Sequence, residues 1–347
     1  FLPSPLEYIT IVGGVPRHAR KTEQRELMRA ASRRYGSFIG LFVLAAIGVA
    51  WTVREIRGSN QADGLVRAIT AAKPAELGPL IEQHLPRYRR WADPLLRQIA
   101  ASEPQDSQRR LAAALALLPA DPAQVDYLRE RLVQCSVAEF ALIRDGLTPH
   151  RAVVQDKLWE TLHDRRQPET ARLHAGMALA TYALDDSRWT ETDSEFLATR
   201  LVAANPDDQR ELRSYLDPIK SRLLAPLQTI FRDVSRPDIE RLAAAAAIVS
   251  YAREDVHLLA ILASEATPLQ LNVLLPALDR PEYHAEIVES LRHMAHHLTV
   301  TEAPNASEAE LVRSGRRRAG AAITLIRLGE PAAILGFGTF SFVHNPE

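Results

Sequence analysis

The sequence predicts an all-α fold: a long solenoid of stacked antiparallel helix pairs, preceded by one apolar helix. Three observations carry this reading. Hydrophobic residues make up 46% of the 347 residues and aromatics only 6%, and alanine and leucine, which lose little side-chain entropy in a helix, dominate many stretches. Alanine-rich segments recur, opening at Arg110, Arg172, Arg241 and Arg318 with spacings of 62, 69 and 77 residues. Within the repeats apolar residues fall at helical spacing, as do Leu128, Leu132 and Cys135, and no strand-like alternation flanked by hairpin turns occurs before the last dozen residues.

In chain order, residues 1–34 read as a basic segment carrying Arg17, Arg20, Lys21, Arg25, Arg29, Arg33 and Arg34. The chain begins at Phe1 rather than at methionine, and we read it as a piece of a longer protein. Residues 35–53 (YGSFIGLFVLAAIGVAWTV) hold no charge. A helix of that length spans about 28 Å, close to the hydrocarbon thickness of a bilayer, and Tyr35 and Trp51 stand near its ends, where interfacial rings prefer to lie. This predicts a single-pass transmembrane helix. The excess of positive charge before it places the N-terminus in the cytoplasm and the remainder outside, in the inner (cytoplasmic) membrane. Gly36 and Gly40 form a GxxxG pattern, which offers a homodimer contact through that helix.

Residues 54–335 read as the repeat domain. Each alanine-rich helix is followed by an acidic or proline turn (Asp121-Pro122, Asp185-Asp186, Glu254-Asp255, Glu330-Pro331), with aspartate suited to cap the next helix. Three further helices follow each such turn within the array, the second of them stopped or kinked near a proline. Residues 75–100 match the stretch from Ala138 at an offset of about 63, so one unit is four helices and the array begins partway through a unit. A helix pair that cannot bury its apolar face alone must stack on its neighbours, which predicts a HEAT-like α-solenoid. Residues 336–347 read as an irregular tail.

Chemistry is sparse. The net charge of −1 offers no global field for nucleic acid. Cys135 is the only cysteine, which excludes an intrachain disulfide and a cysteine-rich zinc site. Phosphate-loop, nucleophile-elbow, HExxH and kinase signatures do not occur. His293, His296 and His297 sit at i, i+3 and i+4, the spacing that puts metal ligands on one helix face, but no acidic fourth ligand stands at regular spacing nearby. They remain weak metal candidates beside the reading of an exposed histidine face. Trp91, Trp159 and Trp189 read as packing anchors between repeats rather than ligand stackers. No catalytic residue and no cofactor are assigned.

Several phrases carry a resemblance: LPSPLE (Leu2–Glu7), TEQRELMRAASRRYG (Thr22–Gly36), YRRWADPLL (Tyr88–Leu96), LALLPADPAQVDYL (Leu115–Leu128), LIRDGLTPH (Leu142–His150), LLAPLQTIFRD (Leu223–Asp233) and AGAAITLIRLGEP (Ala319–Pro331). Together they resemble the central region of planctomycete-type membrane-bound serine/threonine protein kinases that also carry a formylglycine-generating-enzyme-like domain. The resemblance implies a non-catalytic, membrane-anchored helical-repeat region of a receptor-like kinase, lying between two catalytic modules that this chain lacks. After Ala333 the sequence departs from the further helical repeat of that family. The function expected is protein interaction, sensing or scaffolding, with a protein or peptide on the solenoid surface. The alternative is a structural spacer that presents a distal formylglycine-generating-enzyme-like domain.

Overall fold

A computed structural model of the chain describes residues 22–297 and 308–331, all helices, turns and short loops, with no strand among them. The chain divides into two compact units, one ending at Asp121 and the other starting at Pro122.

In the first unit α1 (Thr22–Ala71) is followed by α2 (Pro74–Pro79), a π-helical turn (Leu80–His84), α3 (Leu85–Ser102) and α4 (Gln108–Leu117). Helix α1 stops just before Lys73-Pro74, where the proline ring disfavours helical backbone in the residue ahead of it. Past Pro79 the helix widens, and the Leu85 N–H donates to the Leu80 carbonyl five residues back. The C-terminal part of α1 buries Ala62, Val66 and Ile69 on one stripe, against α3 and α4, which bury Leu85, Ala92, Leu96 and Leu111.

The N-terminal part of α1 overturns the transmembrane expectation and the inner-membrane, single-pass placement drawn from it. Among the described residues no helix is long and apolar enough to cross a membrane. The physical reason lies in context: the uncharged segment is not a separate span but the middle of one 50-residue helix, Thr22–Ala71, which continues without a break into the packed stripe at Ala62. Leu41, Phe42 and Leu44 along it are exposed. The side chains of Tyr35 and Gly36, including the first glycine of the GxxxG pattern, lie outside the described residues.

The second unit repeats a four-helix pattern. First come α5 (Gln124–Leu132), α6 (Val137–Leu147), a 3-10 turn (Thr148–His150), α7 (Arg151–His163) and α8 (Glu169–Tyr182). Next are α9 (Glu191–Ala203), α10 (Pro206–Leu216), a 3-10 turn (Asp217–Ile219), α11 (Lys220–Arg232) and α12 (Asp238–Tyr251). The last set is α13 (Val256–Glu265), α14 (Pro268–Leu278), α15 (His284–His297) and α16 (Glu308–Arg327). Neighbouring helices pack as pairs (α7 with α8, α11 with α12, α15 with α16), and each set leans on the next through α8 with α10 and α12 with α14. This arrangement is consistent with a helical solenoid.

Capping explains where several helices start. Ser136 with Glu139, Thr190 with Asp193 and Thr267 with Gln270 form reciprocal capping boxes at α6, α9 and α14. Of the acidic residues expected to cap, Asp255 does so, accepting from the Leu258 N–H at 2.9 Å, whereas α9 is capped by Thr190 and α5 follows Ala123, which has no capping side chain.

The ends of helices are closed from further along the chain. The Tyr182 hydroxyl donates to the Arg144 carbonyl at 2.5 Å, and one repeat later the Tyr251 hydroxyl donates to the Arg213 carbonyl at 3.0 Å. Burial pushes both phenols above their ordinary range. The arginines that open the alanine-rich helices work similarly: Arg110 donates to the Glu103 carbonyl, Arg172 to Leu162 and Arg318 to Ala295. At the position equivalent to Leu162, the Phe231 carbonyl is served instead by the Gln270 amide at 2.8 Å. Each contact satisfies a carbonyl left without an intrahelical partner at a helix end.

Candidate functional site

Two clefts bring polar and aromatic side chains together, one in each unit. In the second unit a cleft of about 330 Å³ opens beside α9 and α11, lined by Trp189, Thr190, Glu191, Glu195, Arg222 and Pro226 among others. Its aromatic wall is rigid. Trp189 lies edge-on to Trp159 of α7 with centroids 4.8 Å apart, and its indole N–H donates to the Ala183 carbonyl at 2.8 Å. The His163 ring stands 5.3 Å from Trp159, and its Nε2 lies 3.2 Å from Asp193 Oδ2, the carboxylate that also accepts from the Thr190 N–H and hydroxyl. Arg188 sits over Trp159 and pairs with Asp186 and Asp156. Hydrogen bonds from the Arg188 side chain and backbone hold the Asp186 carboxyl down at about 2, so it stays ionised. Both tryptophans are buried, as the packing-anchor reading expects, while Trp189 also contributes to the cleft lining. Glu191, Glu195 and Arg222 have no ion-pair partner among the described residues.

In the first unit a cleft of about 510 Å³ lies between α1 and α3, lined by Arg54, Arg57, Gln61, Arg87, Tyr88 and Trp91, with Ala50 and Val53 at its apolar end. Trp91 is fixed there: its indole N–H donates to Glu55 Oε1 at 2.7 Å, and it lies so close to Gly58 that a Cβ at that position would come 2.6 Å from the ring. Arg90 pairs with the same Glu55 at 3.4 Å. None of Arg54, Arg57 and Arg87 was singled out from the sequence as a functional residue. The usable signal was the i, i+3 spacing of Arg54 and Arg57, which shares a helix face, together with the mixed YRRW phrase at Tyr88–Trp91.

Of the histidine candidates, His293 lines neither cleft. His293 is exposed on α15, and the side chains of His296 and His297 lie outside the described residues. Among the described residues no group of three His, Cys, Asp or Glu could hold a metal ion. Cys135 is buried, donates to the Leu132 carbonyl, and is pushed up to about 12, first by desolvation and then by Glu139. A thiol that stays protonated at neutral pH is a poor nucleophile.

One buried titratable group gives the second unit a pH dependence. His174 on α8 packs against Phe140 at 5.5 Å, and desolvation lowers its pKa, with a hydrogen bond to the Val133 backbone acting weakly the other way. The folded state therefore binds its proton less readily than the unfolded chain does. That stability is fully present above the unfolded value near 6.5 and is lost as pH falls towards the folded value. The denaturant midpoint should fall between about pH 7 and pH 5, and His174→Leu should flatten that slope. An unchanged slope in the variant would assign it to other groups.

No family model, no curated protein and no solved structure matches the chain, so these residues and their geometry carry the functional reading.

Proposed function

We propose that the chain is a non-catalytic, HEAT-like helical-repeat region whose surface binds a protein or peptide. The observation that carries this is the cleft beside α9 and α11. It combines a fixed tryptophan wall with Glu191 and Glu195 on α9 and Arg222 on α11, whose charges are not spent on ion pairs among the described residues. Tryptophan and arginine are the side chains that most often dominate protein interfaces, and a wall that is already ordered loses little entropy on binding. Charges of both signs at one cleft suit a peptide backbone with mixed side chains better than a single small ion. The motifs quoted above support placing this region within a serine/threonine protein kinase.

The test is a photo-crosslinking residue placed at Glu195 in the full chain in its native cells. A discrete adduct at Glu195, lost on Arg222→Glu and not formed from Arg151 on α7, is the expected result. No adduct from Glu191, Glu195 or Thr229 would favour the spacer reading, in which the repeats only separate other modules. That second reading draws on the helix ends and buried polar groups that the repeats satisfy internally.

A further inference from the structure

We infer that the cleft of the first unit is an anion site that takes a phosphoryl group. Arg54 and Arg57, three residues apart on α1, and Arg87 on α3 line one cleft. None of the three has an ion-pair or hydrogen-bond partner among the described residues. Two neighbouring carboxylates are already engaged. Glu55 serves the Trp91 indole and Arg90, and Asp93 pairs with Arg89 at 3.6 Å. Three exposed arginines thus line one concave, partly walled space whose neighbouring carboxylate, Glu55, is already shared by Trp91 and Arg90, an arrangement that favours entry of an anion.

The chemistry of the lining selects the anion. A guanidinium presents a planar fork of donors that matches a carboxylate or a phosphate. Forks from two helices around one space call for three or more acceptor oxygens on one centre, which a phosphoryl group has and a carboxylate lacks. The Tyr88 hydroxyl and the Gln61 amide add neutral donors to the same lining. The space, at about 510 Å³, falls in the range of small-molecule sites and is larger than an inorganic phosphate needs. The apolar end at Ala50 and Val53 gives the organic part of a phosphate ester a surface to lie on. Trp91, wedged on Gly58 and tied to Glu55, keeps the wall in place without the ligand. A solvated arginine face would account for scattered guanidiniums; it does not account for a braced aromatic wall between them.

The phosphoryl group can arrive as a free ion or soluble ester, or as a lipid headgroup, and the test separates the two. The full chain is compared with Arg57→Gln/Arg87→Gln and with Arg151→Gln/Arg165→Gln, a control of equal net charge altered at exposed positions of the second unit. One arm titrates inorganic pyrophosphate by calorimetry. The other measures co-sedimentation with phosphatidylcholine vesicles made with and without phosphatidic acid. The expected result is saturable binding in at least one arm, kept by the control and weakened about tenfold or more by the cleft variant. Arg54→Gln alone should act in the same direction, a second variant should the double one fold poorly. Weakening in the pyrophosphate arm assigns a soluble phosphate, and weakening with phosphatidic acid vesicles alone assigns a headgroup. Equal binding by the cleft variant and the control, or no binding by the unaltered chain in either arm, would overturn the inference.

Discussion

Replacing Phe140 by alanine should lower the unfolding free energy of the second unit by about 3–5 kcal/mol. Phe140 is among the largest fully buried side chains and projects from α6. Its ring packs at 5.5 Å on His174 of α8 and at 5.0 Å on Tyr215 of α10, with Arg144 over its face. It therefore bridges the first four-helix set and the second. Truncation loses the transfer free energy of the ring and leaves a cavity lined from three helices, whose backbones are fixed by their own pairs and cannot all close in. Phe140→Leu keeps most of the volume and should cost about 1.5 kcal/mol or less. Chemical denaturation followed by far-ultraviolet circular dichroism gives both values. A loss under about 1 kcal/mol for the alanine variant would mean that the junction between the sets does not rest on this ring.

Gly320→Ala should also destabilise, by about 1–3 kcal/mol or more, against the usual direction of such a change. In an exposed helix interior, alanine is favoured over glycine by about 1 kcal/mol. At Gly320 on α16 the added Cβ would lie 2.7 Å from the carbonyl carbon of Ser264 on α13, and closer still to its oxygen. The obstacle is backbone, not the end of a flexible side chain, so relief requires moving one helix off the other. The nearby Thr324 hydroxyl, hydrogen-bonded to the Gly320 carbonyl at 2.8 Å, leaves little slack. Gly315 on the same helix, with nothing within 4 Å of its built Cβ, is the internal control, and Gly315→Ala should stabilise by up to about 1 kcal/mol. Thermal melts of the two variants that shift in the same direction would refute the close approach of α13 and α16.

Much of this architecture was legible in the sequence because it depends on local periodicity. The alanine-rich runs opening at Arg110, Arg172, Arg241 and Arg318 all became helices. The prolines at 149 and 218 end α6 and α10 in matching 3-10 turns, and the offset of about 63 residues proposed for residues 75–100 aligns the sequence of α2 with that of α6. Less legible was anything that requires knowing which helix faces which. Tyr182 and Arg144, or Gln270 and Phe231, are unremarkable residues in their own helices and acquire roles only through pairing. Glu55 and Trp91 meet across 36 residues, so the Arg54–Arg57–Arg87 cleft could not be seen by scanning one segment. The membrane reading failed for a related reason. A count of uncharged residues from 35 to 53 treats the segment as an isolated object, whereas it is the middle of a 50-residue helix whose later turns are amphipathic and packed.

The closure of helix ends by downstream side chains bears on how the molecule comes into being. The Leu162 carbonyl waits 10 residues for Arg172, the Arg213 carbonyl 38 for Tyr251, and the Phe231 carbonyl 39 for Gln270. During translation these helix ends would leave the ribosome bare and acquire their last hydrogen bonds only as later helices, of the same set or of the next, emerge. Because these closures span a few tens of residues, assembly can advance from the N-terminal end at the pace of synthesis, with only the newest helices left incomplete at any moment.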